Sequence, residues 1–168
     1  MLPIFAKDIL RVGPSGLGLL QASPAVGALA MTWYLSRFPL QRRVGRSLFT
    51  SVGIFGVGTI CFALSTSFWF SLAMLVTLGA ADCISVVIRQ SLVQLETPDD
   101  MRGRVSAVNS VFIGASNQLG EFESGMAAAM IGTVPSVVAG GIGTLVIVAL
   151  WLRLFPSLVA RDQLSNQF

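Results

Sequence analysis

Apolar and polar residues alternate along this chain in long blocks, not position by position. Long apolar runs are separated by short polar segments. A helix that crosses a bilayer needs about 20 predominantly apolar residues. The pattern therefore predicts an all-α protein with five transmembrane helices, at residues 17–35, 47–64, 68–88, 105–131 and 136–154.

The two ends of the chain differ from this pattern. Residues 1–6 are apolar but too short to cross a bilayer, and a segment containing Gly13, Pro14 and Gly16 follows them. We interpret residues 1–6 as the stub of a preceding helix, so that residues 1–168 are a C-terminal bundle fragment of a longer protein. Residues 155–168 are polar and are expected to form a tail.

Composition supports a membrane location for the whole chain. It is 54% hydrophobic and only 11% charged, whereas a soluble domain has about 25% charged residues. So few charges cannot coat a soluble surface, and the sequence indicates an integral membrane protein. The net charge of +3 comes from residues that flank apolar runs. Nucleic-acid binding, which needs a basic face or tail, is therefore not expected.

Catalytic chemistry has little support in the sequence. The chain contains no histidine, so the usual ligands for zinc and haem and the usual general bases are missing. Cys61 and Cys83 both lie inside apolar runs, and their spacing matches no metal site or disulfide framework. We expect no cofactor and no enzymatic activity.

The positive charges predict the topology. Four arginines lie in the segment 37–46, two in 90–104 and two in the tail from Arg153, and the turns 65–67 and 132–135 carry none. Short loops rich in Lys and Arg stay in the cytoplasm, so the C-terminus is predicted to be cytoplasmic. A cleaved signal peptide is the alternative for the first run, but the arginine cluster follows that run and does not precede it.

Several segments resemble a known family. The loop Arg42-Arg43-Val44-Gly45-Arg46 is similar to the weaker copy of an Asp-Arg-x-Gly-Arg loop in major facilitator superfamily transporters. It departs from the stronger copy at Arg42, where that copy has Asp. The segments Thr97–Ser106 and Asn109–Gly125 resemble the enterobactin exporter branch of the superfamily.

The resemblance implies a fold and a function. The chain would form the C-terminal bundle of a twelve-helix transporter, with its last five helices and the stub of a sixth. It would take part in proton-driven export of an enterobactin-like siderophore, or a related small molecule, across the bacterial inner membrane by alternating access. Its partners would be the substrate, the proton, the lipid bilayer and the missing N-terminal bundle, with the binding site between the halves.

Polar residues inside the predicted spans are the candidate cavity and coupling residues, because such residues are costly in a membrane and are usually functional. They are Gln21, Asp82, Asn117, Gln118 and Glu121. A structural ion pair is the alternative for Asp82. Polar contacts between helices are the alternative for Glu121.

Arginines at the predicted cytoplasmic side are candidates for a gate that closes through ion pairs. They are Arg42, Arg43, Arg46, Arg89, Arg102 and Arg104. The alternative is that these side chains are simply solvated, with Arg89 extending its charge to the lipid headgroups.

A second function stays open on sequence grounds. Half of a two-bundle transporter has half of a pathway, so these residues alone should not transport. The chain would then be a non-transporting membrane fragment, or a helix-packing or assembly subunit.

Overall fold

The computed structural model of the protein describes residues 2–38 and 44–154. Within those ranges the regular structure is entirely helical. It comprises α1 (Leu2–Ile4), which continues as a π-helical turn (Phe5–Ile9), and then α2 (Pro14–Arg37), α3 (Val44–Ala63), α4 (Phe68–Glu96), α5 (Arg102–Ile131) and α6 (Thr133–Leu154). Arg42, Arg43 and the predicted tail at 155–168 lie outside the described residues.

Membrane-crossing character is clearest for three of these helices. By length and composition, α3, residues Phe68–Leu95 of α4, and α6 are apolar enough to cross a bilayer. The helices α2 and α5 are 24 and 30 residues long, but glycine and serine in α2 and polar side chains in α5 lower their hydropathy. The all-helical architecture is confirmed, and the count of five crossings stays a prediction.

Helix ends differ from the predicted boundaries in the polar segments. The helix α4 continues to Glu96 and α5 begins at Arg102, so much of the polar segment 90–104 is helical. Polar residues continue a helix as readily as apolar ones once it leaves the apolar zone, and apolar periodicity therefore does not mark its end. Thr97 has an extended backbone, as expected of a residue that precedes proline.

The connection between α5 and α6 is also shorter than the predicted turn 132–135. Gly132 alone separates the two helices, and its φ of 90° favours glycine.

The helices form an open row. The helix α4 packs against both α2 and α3, α3 also packs against α6, and α6 packs against α5. The order of neighbours is therefore α2, α4, α3, α6 and α5, with α2 and α5 at the two ends. No described residue of α5 is buried, and its main packing partner is α6.

The N-terminal segment covers a core formed by α2, α3 and α4. Phe5 is 1% exposed and stacks on Phe62, with ring centroids 4.5 Å apart. Around this pair lie the buried side chains of Leu20, Leu75 and Leu78. The core thus joins the beginning of α2, the end of α3 and the beginning of α4 beneath the N-terminal turn.

Two helix interfaces depend on glycine. A Cβ atom at Gly27 would overlap the backbone carbonyl of Val76, and one at Gly79 would overlap that of Pro24. The helices α2 and α4 are therefore in backbone contact, which small residues allow in membrane proteins. A similar close approach joins Gly141 of α6 to the backbone of α3, where a Cβ would lie 3.0 Å from a carbonyl oxygen.

Substitution of Gly79 tests the contact between α2 and α4. We expect Gly79→Ala to lower the free energy of unfolding by about 1–3 kcal/mol, because overpacking forces the two backbones apart. Unfolding by denaturing detergent, followed by circular dichroism, measures the change. The matched control is Gly53→Ala, since nothing lies within 4 Å of a Cβ there. Equal stability of the two variants would contradict the close contact.

Candidate functional site

A polar stripe runs along one face of α5. Its members are separated by three, four or seven residues and so lie on one helix face: Ser106, Ser110, Asn117, Glu121 and Ser124. At about 1.5 Å per residue the stripe is roughly 27 Å long. This length approaches the hydrocarbon thickness of a bilayer, about 30 Å.

The opposite face of the same helix is apolar. Its exposed side chains are Val108, Phe112, Leu119, Phe122 and Met126. A helix of this kind meets lipid on one side and protein or water on the other.

The C-terminal half of the stripe lines a groove between α3, α5 and α6. Its volume is about 900 Å³, and its polar lining residues are Thr59, Ser116, Asn117, Glu121, Ser124, Ser136 and Thr144. Glu121 is the charged residue among the described lining side chains. The groove is large enough for a small molecule, since ligand pockets range from about 300 to 1,000 Å³.

Hydrogen bonding within the helices uses the donors of two lining hydroxyls. The hydroxyl of Thr59 donates to the carbonyl of Phe55 at 2.8 Å, and that of Thr144 donates to the carbonyl of Gly140 at 3.0 Å. Both hydroxyls can still accept a hydrogen bond from a ligand. The amide of Asn117 can both donate and accept, so the lining can bind a ligand through either kind of polar group.

The structure brings together two of the five predicted cavity residues. Asn117 and Glu121 both line the groove. Gln118 is exposed but is not among its lining residues, because it lies about 100° around the helix from Asn117. Gln21 is an exposed residue of α2, at the other end of the row.

Asp82 lies on a different surface, on α4. Leu75, Asp82 and Arg89 are spaced by seven residues and therefore follow one face of the helix. Leu75 is buried in the core beside the N-terminal turn, whereas Asp82 and Arg89 are exposed. Within the described residues, neither charge forms an ion pair. The part of this face that carries Asp82 and Arg89 is polar, and it lies farther along α4 from the N-terminal turn than Leu75 does.

The described candidate gate arginines are dispersed. Arg102 pairs with Asp99 at 2.7 Å, and its Nε donates to the carbonyl of Gln94 at 3.1 Å. Arg104 contributes to a separate, mostly apolar groove at the start of α5. Arg46 lines a third groove, between α2 and α3. The described arginines therefore do not form one latch within this bundle.

Sequence reasoning missed the groove residues outside α5. Thr59, Ser136 and Thr144 stand in helices that read as uniformly apolar, and their significance depends on which face meets α5. The signal available in the sequence was a pair of hydroxyl residues in α6, Ser136 and Thr144, eight positions apart.

The fold and the groove define a helical membrane protein with a polar, ligand-sized surface within its apolar zone. A family profile described as a transmembrane secretion effector of the major facilitator type matches residues 1–167. The chain belongs to this family, and the match points to a membrane transporter. Comparisons with curated proteins and with solved structures find no match.

The pair between Asp99 and Arg102 can be tested as a stabilising contact. Both side chains are substantially exposed, at 87% and 51%, and exposed pairs contribute about 0.2–1 kcal/mol. A double-mutant cycle with Asp99→Asn and Arg102→Gln should give a coupling energy within that range, and high salt should reduce it. A coupling above about 2 kcal/mol would show instead that this pair is a strong latch.

Proposed function

We propose that this chain is the C-terminal bundle of a twelve-helix exporter, and that α2 to α6 each cross the membrane. The family match supports a secretion function. The lengths of α2 and α5 support five crossings, since 24 and 30 residues correspond to about 36 and 45 Å of helix. Their lower hydropathy has a physical reason in this arrangement, because each would face protein or water on one side.

The polar stripe of α5 is the observation on which the transport role depends. Carboxyl, amide and hydroxyl groups facing lipid would lose their hydrogen bonds to water without replacement. Contacts between polar residues in membranes return only about 0.6 kcal/mol each. A stripe of this length is therefore better explained by an aqueous pathway than by helix packing alone.

Glu121 is the proposed coupling residue, and the proton is the proposed coupling ion. Protonation of this carboxyl would remove the charge of the described groove lining and provide a hydrogen-bond donor. The two protonation states would therefore bind a substrate differently, which is what coupling requires. Asp82, on the polar face of α4, is the second candidate.

The proposed substrate is an enterobactin-like siderophore or a related small molecule. The groove lining supports a ligand that donates hydrogen bonds, as a neutral catechol does through its hydroxyl groups. The described lining carries no basic residue that would attract a fully ionised catecholate.

Transport also needs a second bundle. In alternating access, two bundles rock around a central site, and the open row of helices here leaves every described residue of α5 at least partly exposed. We propose that an N-terminal bundle of the same transporter completes the pathway. The proposed location is the bacterial inner membrane, and the arginine distribution supports a cytoplasmic C-terminus.

Substitution of Glu121 in the full-length transporter tests the proposal. We expect Glu121→Gln to reduce proton-driven efflux at least about tenfold, because coupling would lose its titrating group. Efflux from inverted or energised vesicles, normalised to the amount of inserted protein, is the measurement.

Glu123→Gln is the matched control, since Glu123 is an exposed carboxyl two residues away that is not among the groove-lining residues. It should leave efflux close to that of the unmodified protein. Normal proton-driven efflux by Glu121→Gln would end the coupling role of Glu121. Equal losses of efflux in the two variants would show that the effect does not depend on whether the carboxyl lines the groove.

A further inference from the structure

A second surface, separate from the α5 groove, has features of a lipid site. The helices α2 and α3 both pack on α4 and leave a groove of about 430 Å³ between them. Thr77 and Ala80 of α4 form its floor, and Met31, Tyr34 and Ile54 contribute to its walls. The lining is mainly carbon, and the described lining residues include no acid.

One end of this groove is positively charged. Arg46, an exposed residue in the first turn of α3, is part of the lining. On α2, the guanidinium of Arg37 lies 5.6 Å from the ring centroid of Trp33. Trp33 and Tyr34 are themselves exposed. Exposed tryptophan and tyrosine beside arginine are typical of a helix end at the level of the lipid headgroups.

The groove runs from this end toward the middle of the bundle. From Arg46 to Ile54 it follows α3 for about 12 Å, at about 1.5 Å per residue. Its charge is therefore at headgroup depth, whereas its apolar part lies at acyl-chain depth. A phospholipid has the same order of charge and hydrocarbon along its length.

We propose that this groove binds an anionic phospholipid, with its phosphate paired to Arg46 and one acyl chain between α2 and α3. A further transmembrane helix is a poorer fit, because the described groove lining covers only the first half of α3, residues 46–54. A second copy of the chain would bring arginines of its own against Arg46. The phosphate of the lipid supplies a negative charge for Arg46, since the described lining includes no acid. The proposed topology places this lipid in the cytoplasmic leaflet.

The experiment is a lipid titration of the full-length protein followed by native mass spectrometry. The probes are phosphatidylglycerol and phosphatidylcholine with identical acyl chains. The unmodified protein should bind one phosphatidylglycerol more tightly than phosphatidylcholine. Arg46→Gln should weaken phosphatidylglycerol binding about fivefold, as expected for loss of one basic residue near the membrane surface, and should weaken phosphatidylcholine binding less, because choline offsets the charge of that lipid's phosphate.

Two further variants separate this site from general attraction between charges. Thr77→Phe fills the floor at an exposed position and should weaken both lipids, because the acyl chain loses its space. Arg153→Gln removes an equal charge from the end of α6, outside the groove, and should change neither. Equal binding of the two lipids by the unmodified protein, or equal effects of Arg46→Gln and Arg153→Gln, would overturn the proposal. The outcome is independent of transport, because lipid binding is measured without substrate or proton gradient.

Discussion

Polar groups on a helix in a membrane must find hydrogen bonds in protein or in trapped water, because hydrocarbon offers none. In the proposed five-helix crossing, this constraint acts most strongly on α5, whose carboxyl, amide and hydroxyl groups share one face over much of its length. It fixes how the helix can be oriented. The face carrying Phe112, Leu119 and Phe122 can meet lipid, and the face carrying Asn117 and Glu121 cannot.

The rest of the bundle is arranged around that orientation. Backbone contacts at Gly27 and Gly79 join α2 closely to α4, and a further close contact joins α3 to α6 at Gly141. The helix α5 has no such contact. A Cβ at its glycines, Gly114 among them, would meet nothing within 4 Å. A closely packed set of helices therefore carries one polar helix that packs mainly on α6, and the proposed function makes this helix a wall of the pathway.

The sequence was sufficient for some of these features and insufficient for others. Apolar run length predicted the helices, since this signal is local to each run. It did not predict that α4 continues to Glu96, because polar residues extend a helix without contributing to its apolar pattern. The glycine contact of Gly27 and Gly79 was missed, since it depends on the crossing of two helices that are distant in sequence.

The candidate site shows the same division. Periodicity along α5 was enough to associate Asn117 with Glu121, four residues apart. It did not exclude Gln118. That residue lies about 100° around the helix from Asn117, and only the packing of α5 on its neighbours decides which of the two lines the groove. Thr59 and Ser136 belong to the groove only because α3 packs on α6 and α6 packs on α5. Proton coupling, substrate and the role of Asp82 stay predictions, since each depends on protein surface beyond the described helices.

The central claim is that one face of α5 meets water and the other meets lipid. Nitroxide labels placed singly along residues 106–126 of the full-length protein in bilayers test it, in a variant with Cys61 and Cys83 replaced by alanine. Collision with a water-soluble nickel chelate should be greatest near Asn117, Glu121 and Ser124, and collision with oxygen should be greatest near Phe112, Leu119 and Phe122. Both should oscillate, out of phase, with the period of about 3.6 residues of an α-helix. Oxygen collision at Glu121 as high as at Phe122, with no oscillation, would contradict an aqueous pathway along this helix.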